Sequence, residues 1–190
     1  MGRKLLIADD ELMDRLSHVF RDVGFEGATL ALLASAAGLK KASLYHRFPG
    51  GKEQMAREVL LSAGAWIKAH VLDPLSSESP PAARIQAMAR RLDEFYAGGR
   101  EACLLNVMSS SRLADGPFNG LIRNVLDAWI SALTTAMTDA GIDRKQARAR
   151  AERALIMLQG SLVVARGLGT TRPFRDYLKV LPEELLRDQR

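Results

Sequence analysis

The chain has 190 residues, 47% of them apolar and 26% charged, enough to bury a real core and too apolar to be a disordered tail. Its net charge of +5 permits a nucleic-acid partner without demanding one. A single cysteine excludes an internal disulfide, and no apolar run approaches a membrane span. The apolar stretch before Asp9-Asp10 is too short for a secretory leader. These features point to a soluble, cytoplasmic protein.

Helical periodicity runs along the chain, and strand-like alternation is absent, so the expected fold is all-α. A first helix is expected over 9–23, with Leu12, Leu16, Val19, Phe20 and Val23 on one face and Gly24 past its end. Thr29 can cap a second over 30–37, whose alanines allow close helix approach. Gly38 turns the chain into a third over 40–48. There Leu44 and Phe48 face the core beside Leu39, Leu33 and Phe20, leaving Lys40, Lys41, Ser43, Tyr45 and His46 outside. Pro49-Gly50-Gly51 breaks the chain before a long fourth helix, 52–72. Further helices are expected over 82–97, 103–113, 117–140, 145–167 and 173–186, the last interrupted near Pro182.

Two short helices joined by a glycine turn, with basic and polar residues on the second, make a helix-turn-helix DNA reader. Between Gly38 and Leu60 stand five bases (Lys40, Lys41, Arg47, Lys52, Arg57) against two acids (Glu53, Glu58). Taken alone, the Lys40-Lys41 pair could be a solvated face, and Tyr45-His46 could be structural. Their joint order around Ala37-Gly38 and Pro49-Gly50-Gly51-Lys52 carries the DNA-binding reading.

With Thr29, Ala37-Gly38, Leu44-Tyr45-His46-Arg47-Phe48 and Lys52, this stretch resembles the DNA-binding head of the TetR family of one-component transcriptional regulators. The resemblance implies an N-terminal three-helix head, 1–51, and a C-terminal helical ligand-binding and dimerisation domain, 52–190. It also implies phosphate contacts from Thr29, Tyr45 and Lys52, and a phosphate or base contact from His46. Lys52 suits that role physically, because it opens a helix whose free N–H groups favour an anion. Ser43 and Lys40-Lys41 lie where a recognition helix meets base edges. The chain departs from the family pattern at Lys40, where a capping Ser is common, and at Leu32, where an acid is frequent.

By the same resemblance, a homodimer forms through the last two helices and binds a double-stranded palindromic operator. An apolar small molecule in the C-terminal domain releases it. The residue types that suit such a pocket are Trp66, Met88, Leu92, Phe95, Tyr96, Cys103, Asn106, Val107, Trp129, Leu133, Met137, Met157 and Gln159, with Asn106, Tyr96 and Gln159 as orienting groups. Each can equally be plain core. Cys103 reads as a buried thiol rather than a redox sensor. Arg144, Lys145, Arg148, Arg150 and Arg153 read as a solvated helix face. No catalytic set, metal-ligand spacing or cofactor loop is present: His18, His46 and His70 are scattered, and Gly167-Leu168-Gly169 follows a helix. The alternative to a switching regulator is a dimeric helical binding protein that keeps the head but does not respond to ligand.

Overall fold

The computed structural model describes residues 7–109 and 116–187. Arg3-Lys4, Ser110, Ser111 and the end of the helix expected over 103–113 lie outside them. Among the described residues the regular elements are all helical: α1 Asp9–Gly27, α2 Leu30–Ala37, α3 Lys41–Arg47, α4 Gly51–Ile67, α5 Pro81–Phe95, α6 Leu104–Val107, α7 Asn119–Asp139, α8 Arg144–Leu168 and α9 Arg172–Leu186. The chain forms two compact units. The first joins 1–63 to 104–119; the second joins 64–103 to 120–190. The compact units therefore do not divide at 51/52. The chain passes from one to the other within α4, and residues 104–119 belong with the head.

In the first unit, Leu12, Leu16 and Phe20 of α1, Leu33 of α2, Leu44 of α3, Phe48, and Met55 and Val59 of α4 are all at most 2% exposed. Each such side chain contributes about 1.5–3 kcal/mol by leaving water. Val23, expected on the buried face of α1, is exposed instead. The backbone breaks at Gly24 (φ 68°, ψ −178°), so the last turn no longer continues the helical register. Phe25 then meets Phe118 edge to face, ring centroids 5.0 Å apart. Gly38 ends α2 in the left-handed conformation, its N–H on the carbonyls of Ala34 and Ser35. A side chain there would be strained, so the tight step into α3 rests on that glycine.

The fourth helix does not run unbroken to Leu72. After Ile67 the chain makes a π-helical turn, Lys68–Leu72, then a 3₁₀ turn, Asp73–Ser76. Pro182 does not interrupt α9. A proline removes one bond and kinks a helix. Here the apolar face Phe174, Tyr177, Leu178, Leu181 and Leu185 is buried, and α9 packs along α8. Asp143 caps α8 through the N–H groups of Lys145 and Gln146. Arg84, 6% exposed, ties the 3₁₀ turn to α7: Nη1 donates to the Leu75 carbonyl at 2.7 Å and pairs with Asp139 at 2.8 Å.

The α8–α9 seam carries one titratable lock. The Tyr177 hydroxyl donates to the Ala154 carbonyl at 3.0 Å. Burial pushes this phenol up from its ordinary value, and the Glu184 carboxylate adds to the shift. The folded chain thus holds the proton more tightly than the unfolded one. That stabilisation is complete below about pH 10 and is lost progressively above it. Tyr177→Phe gives up the hydrogen bond, about 1 kcal/mol, and escapes the alkaline loss. Urea unfolding should show the variant weaker at pH 8 and the gap closing toward pH 11; a gap independent of pH would contradict the assignment.

Candidate nucleic-acid interface

The recognition surface follows from how α3 is seated. It is seven residues long and buries Leu44, while Phe48 just past its end is 0% exposed. With that edge fixed inward, helical geometry turns the opposite face out. Lys40, Lys41, Tyr45 and His46 are exposed and Ser43 is half-buried. No hydrogen bond or ion pair engages the Lys40 or Lys41 ammonium among the described residues. Lys40 occupies the N-cap position with no side-chain cap bond. Its charge therefore projects at the start of α3 in place of a helix cap.

The other expected contacts are placed differently. The Thr29 hydroxyl accepts from the Leu32 N–H at 3.2 Å, so it caps α2 while remaining exposed at the helix start. Lys52, expected as a phosphate contact at the start of α4, has a partner in the first unit: Nζ donates to the Phe25 carbonyl at 2.8 Å and lies 4.3 Å from the Phe25 ring centroid.

A polar relay that sequence reasoning missed fastens the end of α3. Gln54 accepts from the Gly50 N–H at 2.8 Å and donates to Glu58 at 2.8 Å. Glu58 faces Arg47 at 3.6 Å, and Arg47 also faces Asp9 of α1 at 3.5 Å. Partly exposed pairs of this length add little stability each. They link the end of α3 to α1 and to α4. The sequence held one signal, a glutamine one turn beyond a proline-glycine break.

In the second unit the structure brings several pocket candidates together. Trp66 stacks between His70 (4.5 Å) and Phe95 (4.7 Å). Phe95 meets Tyr96 edge-on, and Tyr96 meets Phe174 likewise. The Tyr96 O–H and the Gln159 Nε2–H both donate to Cys103 Sγ, each at 3.3 Å. Gln159 Oε1 is sealed from solvent with no hydrogen-bond partner among the described residues. Met88, Leu92, Trp129, Leu133 and Met137 are buried core. Asn106 and Val107 belong to the first unit, where Asn106 is exposed. Met157 is 47% exposed and lines an open groove of about 370 Å³ between α8 and α9. His70 and Phe174 were not foreseen; only His70, one turn after Trp66, left a signal. No helix among the described residues is long and apolar enough to cross a membrane.

Comparison with known proteins agrees with this arrangement. The model of bacterial regulatory proteins of the tetR family matches residues 12–59. The C-terminal domain model of LmrA/YxaF-like transcriptional regulators matches residues 81–180. The HTH-type transcriptional regulator LmrA of Bacillus subtilis is 22% identical over 181 residues, covering 94% of this chain and 96% of its own. The HTH-type transcriptional repressor KstR2 of Mycobacterium tuberculosis is 32% identical over 107 residues, 56% of this chain and 53% of its own. A crystal structure of a TetR transcriptional regulator from Legionella pneumophila superposes with a TM-score of 0.81 at 18% identity, covering 95% of this chain and 98% of that one. These relatives are DNA-binding regulators rather than enzymes. The chain belongs to the TetR family of transcriptional regulators, with a C-terminal domain of the LmrA/YxaF-like type.

Proposed function

We propose that the protein is a cytoplasmic, homodimeric repressor that binds a palindromic operator and is released by an apolar small molecule. The observation that supports this most is the outward face of α3, where Lys40, Lys41, Tyr45 and His46 are exposed over a fully buried Leu44. A helix so presented enters a major groove about 12 Å wide, with Ser43 and the two lysines near base edges and Tyr45, His46 and Thr29 near phosphate. One head spans a few base pairs, so useful affinity needs two on half-sites about one helical turn or more apart.

The dimer face is assigned to α8 and α9. Ile156 (69% exposed), Met157, Val163, Val164 and Leu168 (68%) leave an apolar stripe along α8, and Val180 of α9 is exposed as well. A stripe of this kind marks an association surface. The effector site is assigned to the aromatic row and the Tyr96–Cys103–Gln159 cluster, where the orphaned Gln159 Oε1 supplies an acceptor for a ligand hydroxyl or amide. The ligand acts by binding the DNA-bound and free conformations with different affinity. The tight burial of Trp129, Leu133 and Met137 favours a second reading, a DNA-bound dimer that does not switch. A compound that raises the melting temperature while leaving operator affinity unchanged would select it.

Footprinting on the flanking genomic DNA tests the main reading: two protected half-sites support it, and no protection at low salt rejects it. Lys41→Ala and Tyr45→Ala should each weaken operator binding about tenfold with unchanged helicity, because each removes contacts from both copies. Wild-type affinity at fixed salt would remove the residue from the interface. Val164→Glu in the apolar stripe should convert the dimer to a monomer in light scattering and abolish tight operator binding; a dimer of unchanged mass would place the interface elsewhere.

A further inference from the structure

We propose that two copies of the chain pack α8 against α8, with Gly160 at the crossing point on the two-fold axis. The proposal rests on the dimer reading above and deepens it, because it names the residue on which the copies meet.

The exposed apolar side chains of α8 are arranged evenly about that residue. Ile156 and Met157 precede Gly160 by four and three positions, and Val163 and Val164 follow it by three and four. At about 100° per residue, all four stand within about 60° of Gly160 around the helix. They are 69%, 47%, 44% and 48% exposed. On the other side Leu155, Leu158 and Leu162 are buried and hold α8 in the core of the second unit. The patch therefore has the same layout in both directions from its centre. A two-fold axis through that centre sets apolar groups against apolar groups, which is what an isologous contact requires. On α9, Val180 is the one exposed large apolar side chain among the described residues, so the patch is centred on α8.

The centre is a glycine with no task inside the chain. Gly160 is exposed, lies in the interior of the 25-residue α8 and is not in the left-handed conformation. A Cβ built on it would meet nothing within 4 Å. Glycine weakens a helix interior relative to alanine. The chain forgoes that stability here without a steric reason of its own. Bare backbone in the middle of an apolar patch lets a second helix approach closely, since the side chains at a contact set the separation of the axes.

Charge identifies the second helix as belonging to a copy. Arg153 and Glu184 both line the groove that Met157 enters, and neither is in an ion pair among the described residues. A copy carries both signs and offers each of them an opposite charge. A uniformly acidic or uniformly basic partner would leave one of them unmatched.

Disulfide trapping tests the crossing point. Axes about 8–10 Å apart, with each Cα about 2.3 Å from its own axis, bring the two Cα atoms at the crossing within about 6 Å, inside disulfide reach. Gly160→Cys, Gly167→Cys and Val180→Cys are oxidised at equal concentration and resolved on non-reducing gels. Wild type, whose Cys103 is buried, is the blank. Gly160→Cys should form covalent dimer several-fold faster than the other two. In sedimentation equilibrium, Gly160→Leu should raise the dimer dissociation constant about tenfold or more, because the added side chain holds the helices apart. Its helicity should equal or exceed that of wild type, since leucine is the better helix former. A dimeric Gly160→Cys that stays uncoupled, or couples more slowly than Gly167→Cys or Val180→Cys, overturns the crossing point. So does a Gly160→Leu dimer as tight as wild type. A wild-type chain that stays monomeric at every concentration removes the dimer reading beneath it as well.

Discussion

A helix of seven residues is marginal in water, since nucleating it costs more than its few hydrogen bonds return. The shape of α3 therefore comes from tertiary seating, and its seat is the burial of Leu44 and Phe48 in the unit whose core also holds Phe20, Leu33 and Met55. That burial decides which side of the helix is outside, and the outside carries the lysines, the tyrosine and the histidine. Recognition chemistry in this chain is thus a consequence of core packing. Exchanging Leu44 for a polar residue would remove the constraint that presents those side chains, even though it touches none of them.

The surroundings of α3 extend the same logic to polar groups. Arg47, Glu58, Gln54 and Lys52 could all be read as surface charge or as DNA contacts. Each also has a partner within the first unit, Arg47 facing two acids and Lys52 donating to the Phe25 carbonyl. Exposed pairs like these contribute little to global stability. They do narrow the positions that α3 and its following turn can take, which matters when contacts must match a groove. Cations in the head thus differ in their surroundings: Arg47 and Lys52 have partners within the first unit, whereas among the described residues no bond engages the Lys40 or Lys41 ammonium.

The elements and the exposed face of α3 were legible in the sequence because they depend on local chemistry. Gly38, Thr29, Asp143 and Gly169 act as caps where the residue type calls for one. The spacing of Leu44 and Phe48 placed the inward edge of α3. Longer-range facts were not legible. Nothing local in Lys52 announces that a carbonyl twenty-seven residues upstream will accept its hydrogen bond. The π-helical turn after Ile67 breaks no composition rule, and Pro182 sits inside a helix because packing on α8 outweighs its local cost. The thirteen pocket candidates were chosen by residue type, which cannot separate a ligand wall from a core. Asn106 and Val107 fell into the first unit for that reason, whereas Gln159 meets Tyr96 and Cys103 only because two segments distant in the chain converge.

Hydrogen exchange of the protein with and without a selected operator duplex tests the central claim most directly. The account predicts that DNA slows exchange chiefly in residues 29–47, the helices whose outward face reads the groove. Protection confined to the second unit, or none at all in α3 with DNA bound, would contradict it.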